Sequence, residues 1–216
     1  MIGLEFLPTL LSASIVTIKI MAMAALFALA FAFTVGIARA LGPAPLRLLA
    51  LVVIEFFRGV SALILLFWLF FALPLLGLSL SPIVCAVLGL GLNAGAYGAE
   101  IVRAGIQSVS KGQNEAAVAL NFSRSQRLWR IVLPQGLALM MPPFGNLMIE
   151  LLKSTALVSM ITITDLTFRA TELNATTLRT GEIFTEVLFI YFAMALVITG
   201  GVRILEARLG RQLTMH

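Results

Sequence analysis

Apolar residues fall along this chain in five long runs, at residues 10–40, 46–76, 80–106, 131–163 and 184–205, separated by short polar stretches. A helix needs roughly 20 residues to cross a hydrocarbon layer about 30 Å thick, and every run is long enough. The pattern predicts an all-α integral membrane protein with five transmembrane helices in one domain, residues 1–216, and no sizeable soluble part. The first run lacks a basic segment ahead of it and is too long for a signal-peptide core, so it is expected to stay as a membrane helix. Pro134, Pro142 and Pro143 punctuate the fourth run and are expected to interrupt it, whereas Gly89, Gly91, Gly95 and Gly98 run through the third. Small residues of that kind mark a helix surface that faces protein.

Composition agrees with hydrocarbon as the main solvent: 60% of residues are apolar, 12% are charged, and the mean hydropathy is +1.05. The net charge of +5 does not signal nucleic acid, because the basic residues flank apolar runs and do not interleave with exposed aromatics. They signal topology. Arg39 and Arg47 lie between runs one and two, Lys111, Arg124, Arg127 and Arg130 between three and four, and Arg203, Arg208 and Arg211 after run five. Those loops are expected on the cytoplasmic side, with the N-terminus outside and the C-terminus inside. Trp129, beside Arg127 and Arg130, has the character of an interfacial anchor. Cys85 is the single cysteine and His216 the single histidine, which excludes an intrachain disulfide and leaves packing as the role of Cys85.

The polar stretch between runs three and four has a shape of its own. Residues 113–121 begin Ala-rich and helix-prone, and Asn121 stands where a helix commonly exits through a left-handed residue. Ser123, followed by Gln126, makes a capping box that starts a second helix towards Ile131 and Pro134. A short helix, a corner and a membrane helix in sequence suit the transfer of force from a soluble partner; an interfacial amphipathic helix without a partner is the alternative.

Glu115, Ala116 and Ala117, three residues, Asn121, nine residues, then Ile131, Leu133 and Pro134 resemble the EAA motif of permease subunits of ATP-binding cassette importers, with Asn121 in the place of the motif's glycine. Further segments are similar to permeases of the polar amino-acid uptake type: Glu55 to Gly59, Ala96 to Gln107, Lys111 to Gln113 and Leu152 to Leu157. Val60 and Ser61 depart from the usual Thr-Pro. The resemblance implies a type I importer permease fold of the bacterial inner membrane. It also implies a second permease (a copy or a relative), two cytoplasmic ATPase subunits that bind ATP and Mg, and an extracytoplasmic binding protein that delivers substrate. It makes residues 113–121 the coupling helix, with Glu115, Ala116, Ala117, Leu120 and Asn121 against the ATPase. Ala117→Trp or Glu115→Lys is then expected to abolish ATP-driven uptake by an inserted chain. The chain carries no G-x-x-x-x-G-K-[ST] phosphate loop, so it is expected to hydrolyse no ATP by that mechanism and to bind no cofactor.

Ionisable residues inside the runs need an explanation, since a charge at the bilayer centre costs at least about 2.5–3.5 kcal/mol on insertion scales. Glu55 with Arg58, and Glu150 with Lys153, stand three apart and can neutralise each other along a helix face. Either the pairs are structural, or they line a translocation path with Asn93, Asn146, Ser154 and Thr155, where both signs of charge suit a small zwitterion such as a polar amino acid or an ectoine-like solute. The rival is a proton-coupled secondary transporter relaying through Glu55, Glu100 or Glu150 without an ATPase.

Overall fold

The structure, a computed structural model, describes residues 5–213; His216 lies outside them. The regular elements among these residues are all helical. They run α1 (Leu7–Leu41), α2 (Ala44–Gly59), α3 (Ala62–Phe67), α4 (Pro82–Gln107), α5 (Lys111–Ala119), α6 (Arg124–Arg127), α7 (Leu133–Ser154), α8 (Leu166–Thr177) and α9 (Thr180–Leu213). A π-helical turn at Trp68–Ala72 and a 3-10 turn at Leu73–Leu76 extend α3, a π-helical turn at Leu128–Val132 joins α6 to α7, and a 3-10 stretch at Thr155–Ile161 follows α7. Four rods, Leu7–Leu41, Pro82–Gln107, Arg124–Ile161 and Thr180–Arg208, are long and apolar enough to cross a membrane, and α2 with α3 makes a fifth as a bent pair.

The centre of the fold is the seam between α1 and α4. Buried positions on α1 recur every three or four residues and are all small from Ala24 onward: Leu10, Ala13, Thr17, Ile20, Ala24, Ala28, Ala32, Gly36. Small side chains let two backbones approach, and van der Waals packing is what holds helices together where lipid is as apolar as leucine. Glycines on α4 answer that stripe. A Cβ at Gly95 would lie 2.9 Å from Phe31 Cδ1 and 3.1 Å from the Ala28 carbonyl oxygen, and one at Gly36 would lie 2.7 Å from the Ala99 carbonyl oxygen.

Two elements differ from the sequence expectation. The second run is not one straight span: α2 ends at Gly59, Val60 and Ser61 are extended, and α3 leaves at 97° to α2. The fourth run is not interrupted by its paired prolines, since α7 stays helical through Pro142 and Pro143. Met140, Phe144 and Gly145 are buried on either side of that pair, and this packing holds the helix where the lost donors alone would break it. The same rod also starts earlier than residue 131, because α6 and the π-helical turn carry it back to Arg124.

Candidate functional site

The polar segment between α4 and α7 forms the predicted corner, shifted by two residues. Helix α5 covers Lys111–Ala119, so Leu120 and Asn121, expected inside it, form its exit turn. Asn121 takes φ 56°; its N–H donates to the Val118 carbonyl at 2.9 Å, and the Phe122 N–H donates to the Ala117 carbonyl at 3.0 Å. That is a Schellman exit with asparagine in glycine's place. The capping box follows directly: the Gln126 N–H donates to Ser123 Oγ at 3.3 Å and the Ser123 N–H to Gln126 Oε1 at 2.8 Å. Glu115, Ala116, Leu120 and Asn121 are exposed, as is Val118. Ala117 is only 1% exposed and packs into its own chain, so a tryptophan there perturbs the fold before it perturbs docking. The outward surface of the corner is therefore Glu115 and Ala116 with two bare aliphatic side chains, Val118 and Leu120.

The bend between α2 and α3 is the second feature. Breaking a membrane helix frees carbonyls that hydrocarbon cannot satisfy. Asn93, near the middle of α4, donates its Nδ2 to the carbonyls of Phe57 (2.9 Å) and Val60 (3.2 Å), and the Tyr97 hydroxyl donates to the Arg58 carbonyl at 3.3 Å. The Arg58 guanidinium sits 5.2 Å from the centre of the Tyr97 ring, and its Nη1 pairs with Glu55 Oε1 at 3.0 Å. The polar groups of α4 thus fix the corner and Arg58 together.

Beside this corner a cavity of about 360 Å³ opens between α4 and α7, lined by Asn93, Tyr97, Glu150 and Ser154 with Leu90, Ala94, Leu147 and Leu151. Three of the expected path residues, Asn93, Glu150 and Ser154, meet here. Lys153 Nζ pairs with Glu150 Oε1 at 3.0 Å, and the Ser154 hydroxyl donates to the Glu150 carbonyl at 2.9 Å. Asn146, Glu150 and Lys153 follow one stripe of α7 and are all exposed. Glu55 is exposed, Arg58 half-buried and Tyr97 exposed on the neighbouring elements. Thr155 is elsewhere: it is fully buried, and its hydroxyl donates to the Leu152 carbonyl at 2.6 Å. Exposed charges within an apolar span are costly against acyl chains, so this face suits water or another protein surface better. The cavity itself offers the Glu150 carboxylate and the Tyr97 ring, with the Lys153 ammonium paired to Glu150 and the Arg58 guanidinium on Tyr97, a set of groups that can hold both ends of a small zwitterion.

Sequence reasoning missed three residues. Tyr97 carries no charge to draw notice, and only its contact with Arg58 gives it a role. Glu186 is 3% exposed within α9 with both carboxylate oxygens unpartnered. Asp165 is fully buried as the N-cap of α8, its Oδ1 accepting from the Phe168 N–H at 2.9 Å. Burial pushes its carboxyl up to about 6 against the pull of the backbone donors of Phe168 and Thr167. An aspartate three residues before Phe168, opening the Leu166–Thr177 helix, is the cap signal that was available. Among the described residues no three His, Cys, Asp or Glu side chains gather to hold a metal ion.

Residues 32–211 match the family described as the binding-protein-dependent transport system inner membrane component. A Sinorhizobium fredii protein named as a probable amino-acid ABC transporter permease is 48% identical over 202 residues, covering 91% of this chain and 85% of the relative. The glutamine transport system permease GlnP of Escherichia coli is 34% identical over 94% of each chain. The L-cystine transport system permease TcyB of Bacillus subtilis is 34% identical over 96% of this chain and 89% of its own. Among solved structures, an amino acid ABC transporter crystallised with histidines superposes with a TM-score of 0.86 at 31% identity, over 95% of this chain and 96% of the other. The inward-facing MetNI methionine ABC transporter shares the fold at a TM-score of 0.82 and 17% identity, over 96% and 99%.

Proposed function

This chain belongs to the family of inner membrane components of binding-protein-dependent transport systems, and from that premise we propose that it conducts a polar amino acid, or a similar small zwitterion, through the face built from α2, α4 and α7. It is the transmembrane permease subunit of an ATP-driven importer, and its relatives include glutamine and cystine permeases. The observation that carries the substrate reading is the cavity that brings Glu150 and Ser154 of α7 to Asn93 and Tyr97 of α4, with Arg58 stacked on Tyr97. Substrate binds with its ammonium towards Glu150 and its carboxylate towards Arg58, while a second permease subunit covers the exposed stripe of Asn146, Glu150 and Lys153. ATP and Mg are held and hydrolysed by the ATPase partners, which push on the surface of Glu115, Ala116, Val118 and Leu120. The corner lies on the cytoplasmic side, with the N-terminus outside, as the distribution of Arg and Lys requires. An extracytoplasmic binding protein delivers the substrate.

The test is ATP-driven uptake of radiolabelled glutamine and cystine into proteoliposomes holding this chain with its ATPase, permease and binding-protein partners. Glu150→Gln is expected to lower uptake at least tenfold while the assembled complex and its basal ATP hydrolysis persist. Unchanged uptake by that variant removes the cavity from the path. Uptake by the chain alone, driven by a pH gradient and indifferent to ATP, overturns the reading in favour of proton coupling.

A further inference from the structure

We infer that this chain carries a dedicated site for an anionic phospholipid beside its coupling corner. A cavity of about 840 Å³ lies between the C-terminal end of α1, the turn into α2, the end of α4 and the α6 corner. Arg47, Lys111, Arg124 and Arg127 line it, no carboxylate does, and the rest of its wall is mostly aliphatic, with Leu41 and Val132 among the apolar side chains and Thr34, Gln107 and Ser125 the polar exceptions. Among the described residues none of these four cations takes part in an ion pair. Arg127 Nε is buried without a hydrogen-bond partner, whereas Arg47 is anchored at the turn by its Nε donating to the Gly42 carbonyl at 2.5 Å. Loop charges that serve only to orient a membrane protein require no concavity. Four cations converging on an aliphatic-walled hollow, at the level where the membrane rods of α1 and α7 meet the polar corner, match a phosphodiester headgroup with its acyl chains directed along α1. An acidic protein segment would satisfy the cations but not the walls, and free phosphate would leave the walls wet.

The experiment uses the assembled transporter, purified in mild detergent with an equimolar mixture of dioleoyl phosphatidylglycerol and dioleoyl phosphatidylcholine and read by native mass spectrometry. The intact complex is expected to retain phosphatidylglycerol in preference to phosphatidylcholine. The double variant Arg47→Gln, Arg127→Gln is expected to lose about thirtyfold of that preference, from the roughly fivefold that each basic side chain contributes near an anionic surface. Arg203→Gln with Arg208→Gln, which removes equal charge elsewhere, is expected to keep it. Equal retention by all three proteins overturns the site. So does displacement of the lipid by millimolar inorganic phosphate as readily as by dioctanoyl phosphatidylglycerol, which assigns the cations to a free anion. Retention by the chain alone but not by the assembled transporter assigns the hollow to the ATPase and overturns it equally. Where the double variant fails to assemble, Arg47→Gln alone takes its place: a partial loss of the preference supports the site, and an unchanged preference overturns it. The lipid readout does not depend on which substrate is carried.

Discussion

Asp165 makes the loop between α7 and α8 sensitive to acid. Its carboxyl titrates near 6 in the folded chain against an ordinary 3.8, so between those values the folded state binds more protons than the unfolded one. The sign follows: stability increases as pH falls from about 6 towards 4, and decreases as pH rises through about 6, where a buried charge has to be carried. Melting temperatures of the purified complex between pH 4.5 and 7.5 are expected to show that slope in the wild type and a flatter line in Asp165→Asn, which still caps α8. Asn121 is the second residue whose backbone decides its identity. Its φ of 56° suits glycine as well as asparagine, so Asn121→Gly is expected to be neutral, and Asn121→Ala to cost about 1 kcal/mol through the left-handed backbone. Hydrogen exchange at the amides of Leu120, Asn121 and Phe122 reads this directly, with about fivefold lower protection in the alanine variant if the turn opens locally.

The bend between α2 and α3 depends on donors from another element. Asn93→Leu removes the donor that the carbonyls of Phe57 and Val60 share in a part-buried setting, at about 1 kcal/mol for each bond lost. The expected result is a clear drop in melting temperature, with Asn93→Gln recovering part of it; no drop would show that the bend holds itself. This element also marks the limit of what the sequence revealed. The count of apolar spans, four straight rods and one bent pair, the approximate bounds of the straight ones, the left-handed Asn121 and the Ser123 capping box were legible because each is set by local pattern, whereas α8 was not. Nor was the corner at Val60 and Ser61, because their departure from Thr-Pro drew notice without showing a break, and the donors that permit the break lie on α4. For the opposite reason Pro142 and Pro143 misled: a local helix breaker was overridden by packing from other helices. Ala117 was assigned to the partner surface and turns inwards, since an alanine pair does not announce which of its members faces out. Of the expected path residues, Asn93, Glu150 and Ser154 converge and Thr155 does not, a distinction made only by the rotation of α7 past its C-terminal end.

At the scale of the whole molecule, the corner between α5 and α6 and the polar face lie towards opposite ends of one rod, which runs without a gap from Arg124 to Ile161 and carries Glu150 and Lys153 in its second half. A push on the corner therefore reaches the polar face through continuous helix. Ala116→Trp, on the exposed side of α5, is expected to leave the chain inserted and its melting temperature unchanged while uptake and uptake-coupled ATP hydrolysis fall at least tenfold. Ala117→Trp is expected to lower the melting temperature first, and the contrast between neighbouring positions separates docking from folding. The corner has one more consequence. Its angle is set by bonds that begin and end within residues 116–126, from the turn amides that close on Ala116, Ala117 and Val118 to the reciprocal clasp of Ser123 and Gln126. A shape that is self-contained in so short a stretch does not lean on the helices around the cargo, so under the proposed docking role the plug can keep its form whatever load the conduit carries.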